Sequence, residues 1–196
     1  SDAAPALHAR LVNEGEISAE GGVVVIDAAA LRDAVDGSVS AGGVVSAASA
    51  EVDGGKIVLS GGRVDVSGTV DATSGAGTGG TIAMTGDLVH VQTGALVDAS
   101  GARGGGTVRI GALAPGMAPM PARRTLVAAG ATVRADGGEV GGDVLVWGDE
   151  ASMVRGALSA TGAKDGGRIE ISSPADILFT GTADASGGLT DGLVLF

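Results

Sequence analysis

The chain holds 196 residues, 37 of them Gly, with no Cys, no Tyr, one Trp and two Phe, so large side chains cannot fill its interior. Gly does not fall at every third position and the hydrophobic fraction is 44%, which excludes both collagen and a solvated disordered tail. A net charge of −11 repels nucleic acid and anionic lipid, no apolar run is long enough to span a membrane, and the lack of Cys removes any disulfide framework while leaving the compartment open.

The opening SDAAPALHAR lacks the charged and apolar regions of a signal peptide, so an export signal, if there is one, is expected outside the chain. From there the same pattern returns again and again: GGVVVI, GGKIVL, GGTIAM, GGTVRI, GGDVLV and GGRIEI. The second Gly of each falls at Gly22, Gly55, Gly80, Gly106, Gly142 and Gly167, at spacings of 33, 25, 26, 36 and 25 residues. The unit is therefore about 25 residues long, with two insertions. Two and four residues after that Gly stand Val24/Ile26, Ile57/Leu59, Ile82/Met84, Val108/Ile110, Val144/Val146 and Ile169/Ile171, all aliphatic or Met. Between them the side chains vary freely, as in Val25, Lys56, Thr81, Arg109, Asp143, Arg168 and Glu170. That is the period of two of a strand with one buried face.

A second ladder follows half a unit later in GEISAE, GSVSAG, GTVDAT, GALVDAS, GATVRAD, GALSAT and GTADAS, with Ile17, Val39, Val70, Val97, Val133, Leu158 and Ala183 expected to point inward. Short segments such as RVDVSG, LVHVQTG, TLVAAG and DILFTG supply a third strand of less certain register. The first insertion, Asp27 to Gly37, has the Ala/Leu content of one or two outer helical turns. The second, Ala112 to Thr125, carries Pro115, Pro119 and Pro121 and is expected to be an extended exposed loop.

Three short strands per unit, closed by Gly-rich corners, predict one all-β domain over residues 1–196, a right-handed parallel β-helix of about seven coils. Gly at the corners is expected to supply backbone conformations that are costly for residues with a Cβ. An antiparallel sandwich or propeller would favour Asn-Gly and Asp-Gly turns at alternate strand ends. Here Gly-Gly recurs at one point of a longer unit.

The segments LVNEGEISAEGG, EVDGGKIVLSGG, GTVDATSGAGTGGTIAMTG, ALVDASGARGGGTVRIG, GGDVLVWGDE and GALSATGAKDGGRIEIS resemble the repeat region of the filamentous haemagglutinin-like exoproteins of two-partner secretion systems. The resemblance implies a β-helix exported by a Gram-negative bacterium to its surface or surroundings and used in adhesion, biofilm or contact. It brings no catalytic residue. The family's secretion domain carries Asn-Pro motifs, whereas the one Asn here, Asn13, precedes Glu. This departure points to the shaft without the export domain, and to open strand edges that stack end to end into a homo-oligomer or filament. Host-surface or matrix glycans or proteins are the other expected partners, and neither nucleic acid nor membrane insertion is expected.

No motif makes a convincing chemical centre. GAGTGG, Gly75 to Gly80, matches a dinucleotide fingerprint, but a strand follows it instead of a helix. The residue after each second-ladder anchor forms an outward column of Ser18, Ser40, Asp71, Asp98, Arg134, Ser159 and Asp184. Stacking would bring Asp71 and Asp98 to about 5 Å, within reach of a Ca2+ ion or of paired-carboxylate hydrolysis, although a solvated charge ladder neutralised by Arg134 explains them more simply. His8 and His90 have no second ligand at metal spacing. A β-helical polysaccharide lyase or hydrolase is the alternative reading, yet Trp147 alone is a poor sugar platform. An ice-binding face would need an unbroken outward Thr column, and Lys56, Asp143 and Arg168 interrupt the one begun by Thr81 and Thr107. No cofactor and no enzymatic activity are expected. The candidates for interaction are the loop residues Pro115, Met117, Pro119, Met120, Pro121, Arg123 and Arg124.

Overall fold

The computed structural model describes residues 10–28, 37–112 and 121–196. Its 21 strands come in seven sets of three. The first three rungs are β1 (Arg10–Asn13), β2 (Glu16–Ser18), β3 (Val23–Asp27); β4 (Ser38–Ala41), β5 (Val44–Ser46), β6 (Lys56–Ser60); and β7 (Arg63–Val66), β8 (Thr69–Asp71), β9 (Thr81–Thr85). The fourth and fifth are β10 (Leu88–Val91), β11 (Leu96–Asp98), β12 (Thr107–Ile110) and β13 (Arg124–Val127), β14 (Thr132–Arg134), β15 (Asp143–Trp147). The last two are β16 (Ala151–Val154), β17 (Ala157–Ser159), β18 (Arg168–Ser172) and β19 (Asp176–Phe179), β20 (Thr182–Asp184), β21 (Leu193–Leu195).

Each strand pairs in parallel with its counterpart one rung away, giving three seven-stranded walls. The fold is a parallel β-solenoid, as the repeat predicts. In the third wall Val24, Ile57, Ile82, Val108, Val144, Ile169 and Val194 stand in one register column. Except for Val194, which is partly buried, these side chains are nearly or fully removed from water. The outward side of this wall departs from simple alternation at rungs two and three, where Val58 and Ala83 are also buried.

One register expectation is wrong. Val39 lies in β4 and pairs with Val64, so it belongs to the first wall, not to the column of Ile17 and Val70. The true second-wall residue is Val45, between Ile17 and Val70, and Ser46 takes the outward place expected of Ser40. Both GSVSAG and GGVVSAAS read as Gly-turned strands, and the insertion between Asp27 and Gly37 hides which is in phase.

The recurring glycines have a different cause from the one expected. Positive φ occurs at Gly21, Gly94, Gly111 and Gly130, which includes only one residue of the recurring pairs. Instead, a Cβ on Gly55, Gly80, Gly106, Gly142, Gly167 or Gly192 would lie well under 3.0 Å from the carbonyl oxygen of the matching Gly in the preceding rung. The rungs approach so closely at this corner that no side chain fits between them. Here an N–H closes the coil on itself: Gly80 donates to the Ala72 carbonyl at 2.7 Å, and Gly106 to that of Ala99 at 2.7 Å.

Both insertions leave the tube at the same corner, between the third wall and the first wall of the next rung. Most of each, including the expected outer helical turns, lies outside the described residues.

Candidate functional site

The second-wall column brings Asp71, Asp98 and Arg134 into register, in the order the sequence predicts. Each carboxylate is already engaged in its own corner. Asp71 accepts the N–H of Thr73 at 2.9 Å, Asp98 that of Ser100 at 2.9 Å and Asp184 that of Ser186 at 2.9 Å. The repeated Asp-Ala-Ser/Thr is thus a turn in which the side chain satisfies a backbone donor two residues on. The Ser186 hydroxyl and N–H together hold the Asp184 carboxyl below its usual range. Among the described residues no group of three or more His, Asp or Glu side chains is placed to hold a metal ion.

A denser polar cluster escaped the sequence reading. Asp136 accepts hydrogen bonds from the Ser159 hydroxyl, the Thr161 N–H at 2.8 Å and the Thr161 hydroxyl at 3.0 Å, tying the fifth rung to the sixth. Asp65 gathers Arg63 at 2.5 Å, with His90 and Gln92 both at 3.5 Å, one rung away. Burial opposes ionisation of Asp65, but the Arg63 guanidinium, with His90 and Gln92, outweighs it and lowers the carboxyl's pKa. His90 faces outward, as its strand position predicts.

Of the loop candidates, Pro115, Met117, Pro119 and Met120 lie outside the described residues. Pro121 is half-buried, and Arg123 and Arg124 are exposed, both drawn to Glu150 of the next rung at 2.5 and 3.0 Å. With Asp87 and Leu88 they line a shallow depression. A second depression, on the outer face of the third wall, is lined by Thr107, Arg109, Asp143, Leu145, Arg168 and Glu170, where Arg168 pairs with Glu170 at 2.5 Å. Trp147 donates its indole N–H to Asp149 at 2.7 Å. Gly75 to Gly80 form a corner leading into strand β9, not a helix.

The inside of the tube holds two polar residues that the repeat does not announce. Thr125 and Ser152 occupy inward places in the first wall where Val64 and Val89 stand in earlier rungs. They donate across the corner to the carbonyls of Trp147 at 2.6 Å and Ser172 at 2.8 Å.

No protein-family model and no curated protein matches the chain. Among solved structures, the HMW1 secretion domain from Haemophilus influenzae superposes with a TM-score of 0.76 and 30% sequence identity over 93% of this chain and 49% of that one. The resemblance to filamentous haemagglutinin-like exoproteins is borne out. The chain spans about half the length of that structure. The likeness falls on a secretion domain, whereas the missing Asn-Pro motif points the sequence reading to the shaft. Asn13 has a corner role here: its carboxamide donates to the Val44 carbonyl at 3.1 Å and accepts the Gly15 N–H at 3.2 Å.

Proposed function

We propose that the chain is a structural segment of a secreted, filamentous haemagglutinin-like protein, working as a stiff rod at or beyond the outer surface of a Gram-negative bacterium. The observation that carries this is the stack of seven parallel rungs, together with its superposition on a secretion domain over nearly its full length. Rigidity follows from the architecture, because every rung is hydrogen-bonded to its neighbours along all three walls. Adhesion to glycans or proteins of a host surface or matrix, and a place in biofilm, are the finer parts of the proposal. The exposed Arg123, Arg124 and Glu150 group and the outer third-wall depression are the surfaces offered for it.

The rod works without a catalytic centre in this reading. Its support is that Asp71, Asp98 and Asp184 spend their oxygens on backbone N–H groups of their own corners. In this reading copies associate end to end by the same parallel pairing that joins the rungs.

Cell fractionation with an antibody to this chain tests the reading. The antigen is expected in the culture supernatant or on intact cells, together with binding of the purified chain to matrix-coated surfaces. Confinement to the cytoplasm would overturn it.

A further inference from the structure

The last outward residue of a second-wall strand is followed, two places on, by a backbone N–H that needs an acceptor at the corner. In four rungs the outward residue supplies it. The Ser46 hydroxyl accepts the Ala48 N–H at 3.3 Å, and Asp71, Asp98 and Asp184 accept those of Thr73, Ser100 and Ser186, each at 2.9 Å. The fifth rung cannot do this, because Arg134 stands in the outward place and a guanidinium has no acceptor. The N–H in question, that of Asp136, goes instead to the Ser100 hydroxyl of the fourth rung at 3.1 Å.

The sixth rung has Ser159 in the outward place, the residue type that closes the corner of the second rung. Here the Ser159 hydroxyl donates to Asp136 of the fifth rung. The Thr161 N–H goes to that same carboxylate at 2.8 Å, joined by the Thr161 hydroxyl at 3.0 Å. Both displaced acceptors, Ser100 and Asp136, stand two residues after the outward place, and both belong to the preceding rung. Arg134, released from the turn, is exposed and has no ion pair or side-chain hydrogen bond among the described residues. It is the one basic residue in the strands of the second wall.

We propose that Ser100 and Asp136 form an acceptor relay that locks rungs four to six into one block. Opening of the fourth corner withdraws the acceptor of the fifth, and opening of the fifth withdraws that of the sixth, so loosening passes toward later rungs. The third and seventh corners supply themselves and stand outside the relay. Placing the carboxylate at Asp136 is also what leaves the outward place of the fifth rung open to a cation.

Amide hydrogen exchange of the full chain tests the relay, with circular dichroism verifying that each variant is folded. Asp136→Ala is expected to speed exchange at Thr161 about tenfold or more and to leave Thr73 unchanged. Adding Ser159→Asp, which gives the sixth rung an acceptor of its own, is expected to return Thr161 to near the wild-type rate. In the wild-type background the same Ser159→Asp sets a second carboxylate against Asp136 and is expected to lower the Tm by roughly 4 °C, so its effect changes sign with the background. Asp136→Asn, which keeps an acceptor oxygen, carries the same test with a change of about threefold should Asp136→Ala fail to fold. Ser100→Ala is expected to speed exchange at the Asp136 amide about fivefold in the wild type and to have no effect in Arg134→Asp, where the fifth rung closes its own corner. A Thr161 amide indifferent to both Asp136 variants, or not rescued by Ser159→Asp, would overturn the relay at the sixth rung. An Asp136 amide as sensitive to Ser100→Ala in Arg134→Asp as in the wild type would overturn it at the fifth.

Discussion

Replacing Gly80 by Ala should damage this protein far more than the same change at Gly22, although the two occupy the same place in their repeats. A Cβ on Gly80 would press on the Gly55 carbonyl oxygen and on the backbone of Gly54, which belong to the preceding rung and cannot swing aside. Relief requires Gly80 to shift away from the second rung, which loosens the bond between rungs from Thr81 N–H to Gly55 at 2.9 Å and the bond within the third rung from Gly80 N–H to Ala72 at 2.7 Å. Two backbone hydrogen bonds at about 1 kcal/mol each, plus overpacking of about 1–3 kcal/mol, give a loss of about 3–5 kcal/mol. For a chain of this size that lowers the Tm by roughly 10 °C. Gly22 has no described rung before it, and its Cβ would meet Ala19 alone, the carbonyl oxygen at 3.3 Å and the Cβ at 3.4 Å. The cost there should stay under about 1 kcal/mol. Gly94 separates conformation from crowding: its φ is +83° but a Cβ would find open space, so Ala there should cost about 1–2 kcal/mol. Urea titration followed by far-ultraviolet circular dichroism ranks the three. Equal midpoints for the Gly22 and Gly80 variants would refute the close-approach argument.

Ile82→Ala, in the middle of the fully buried third-wall column, should cost about 2–5 kcal/mol in the same titration. Thr125→Val keeps the shape but strands the Trp147 carbonyl; a loss of about 1–2 kcal/mol is expected in thermal melts, and a stabilised variant would contradict the role given to the hydroxyl. Because the folded pKa of Asp65 is depressed, its contribution is complete above the unfolded carboxylate value of about 3.9 and is lost as pH falls through the folded value. The partly exposed Arg63 limits that contribution to about 1 kcal/mol or less, and Asp65→Asn should flatten the acid limb of a stability–pH curve. Asp71→Asn with Asp98→Asn should retain the corner turns and leave the Tm unchanged between calcium and chelator; a calcium-dependent Tm in the wild type that the double variant loses would establish a metal site there.

The inward ladders were legible because aliphatic side chains at alternate positions leave few ways to bury themselves. Val24, Ile57 and Ile82 could be aligned from spacing alone. Val39 could not, since a tube with three similar walls offers the same alternation three times per coil and an insertion erases the count. The role of Gly80 was hidden for another reason: crowding by the preceding rung is a long-range property, and the sequence looks the same whether Gly serves a positive φ or a close approach. Thr125 falls at the end of the expected exposed loop, although it lies buried in β13, and Ser152 draws no expectation, because the carbonyls they satisfy lie across a corner, 22 and 20 residues away. Asp71 and Asp98 invited a metal only because stacking was visible while the local N–H acceptors were not.

That both long insertions depart from one corner has a bearing on how such a molecule can change. Adding a single residue inside a wall would turn every following side chain of that strand from interior to water, so the walls are closed to length variation. The two longest additions gather instead at one longitudinal seam, where foreign segments can be grafted side by side without disturbing the zipped strands. The walls themselves remain a fixed scaffold against which such additions are spaced at multiples of one rung.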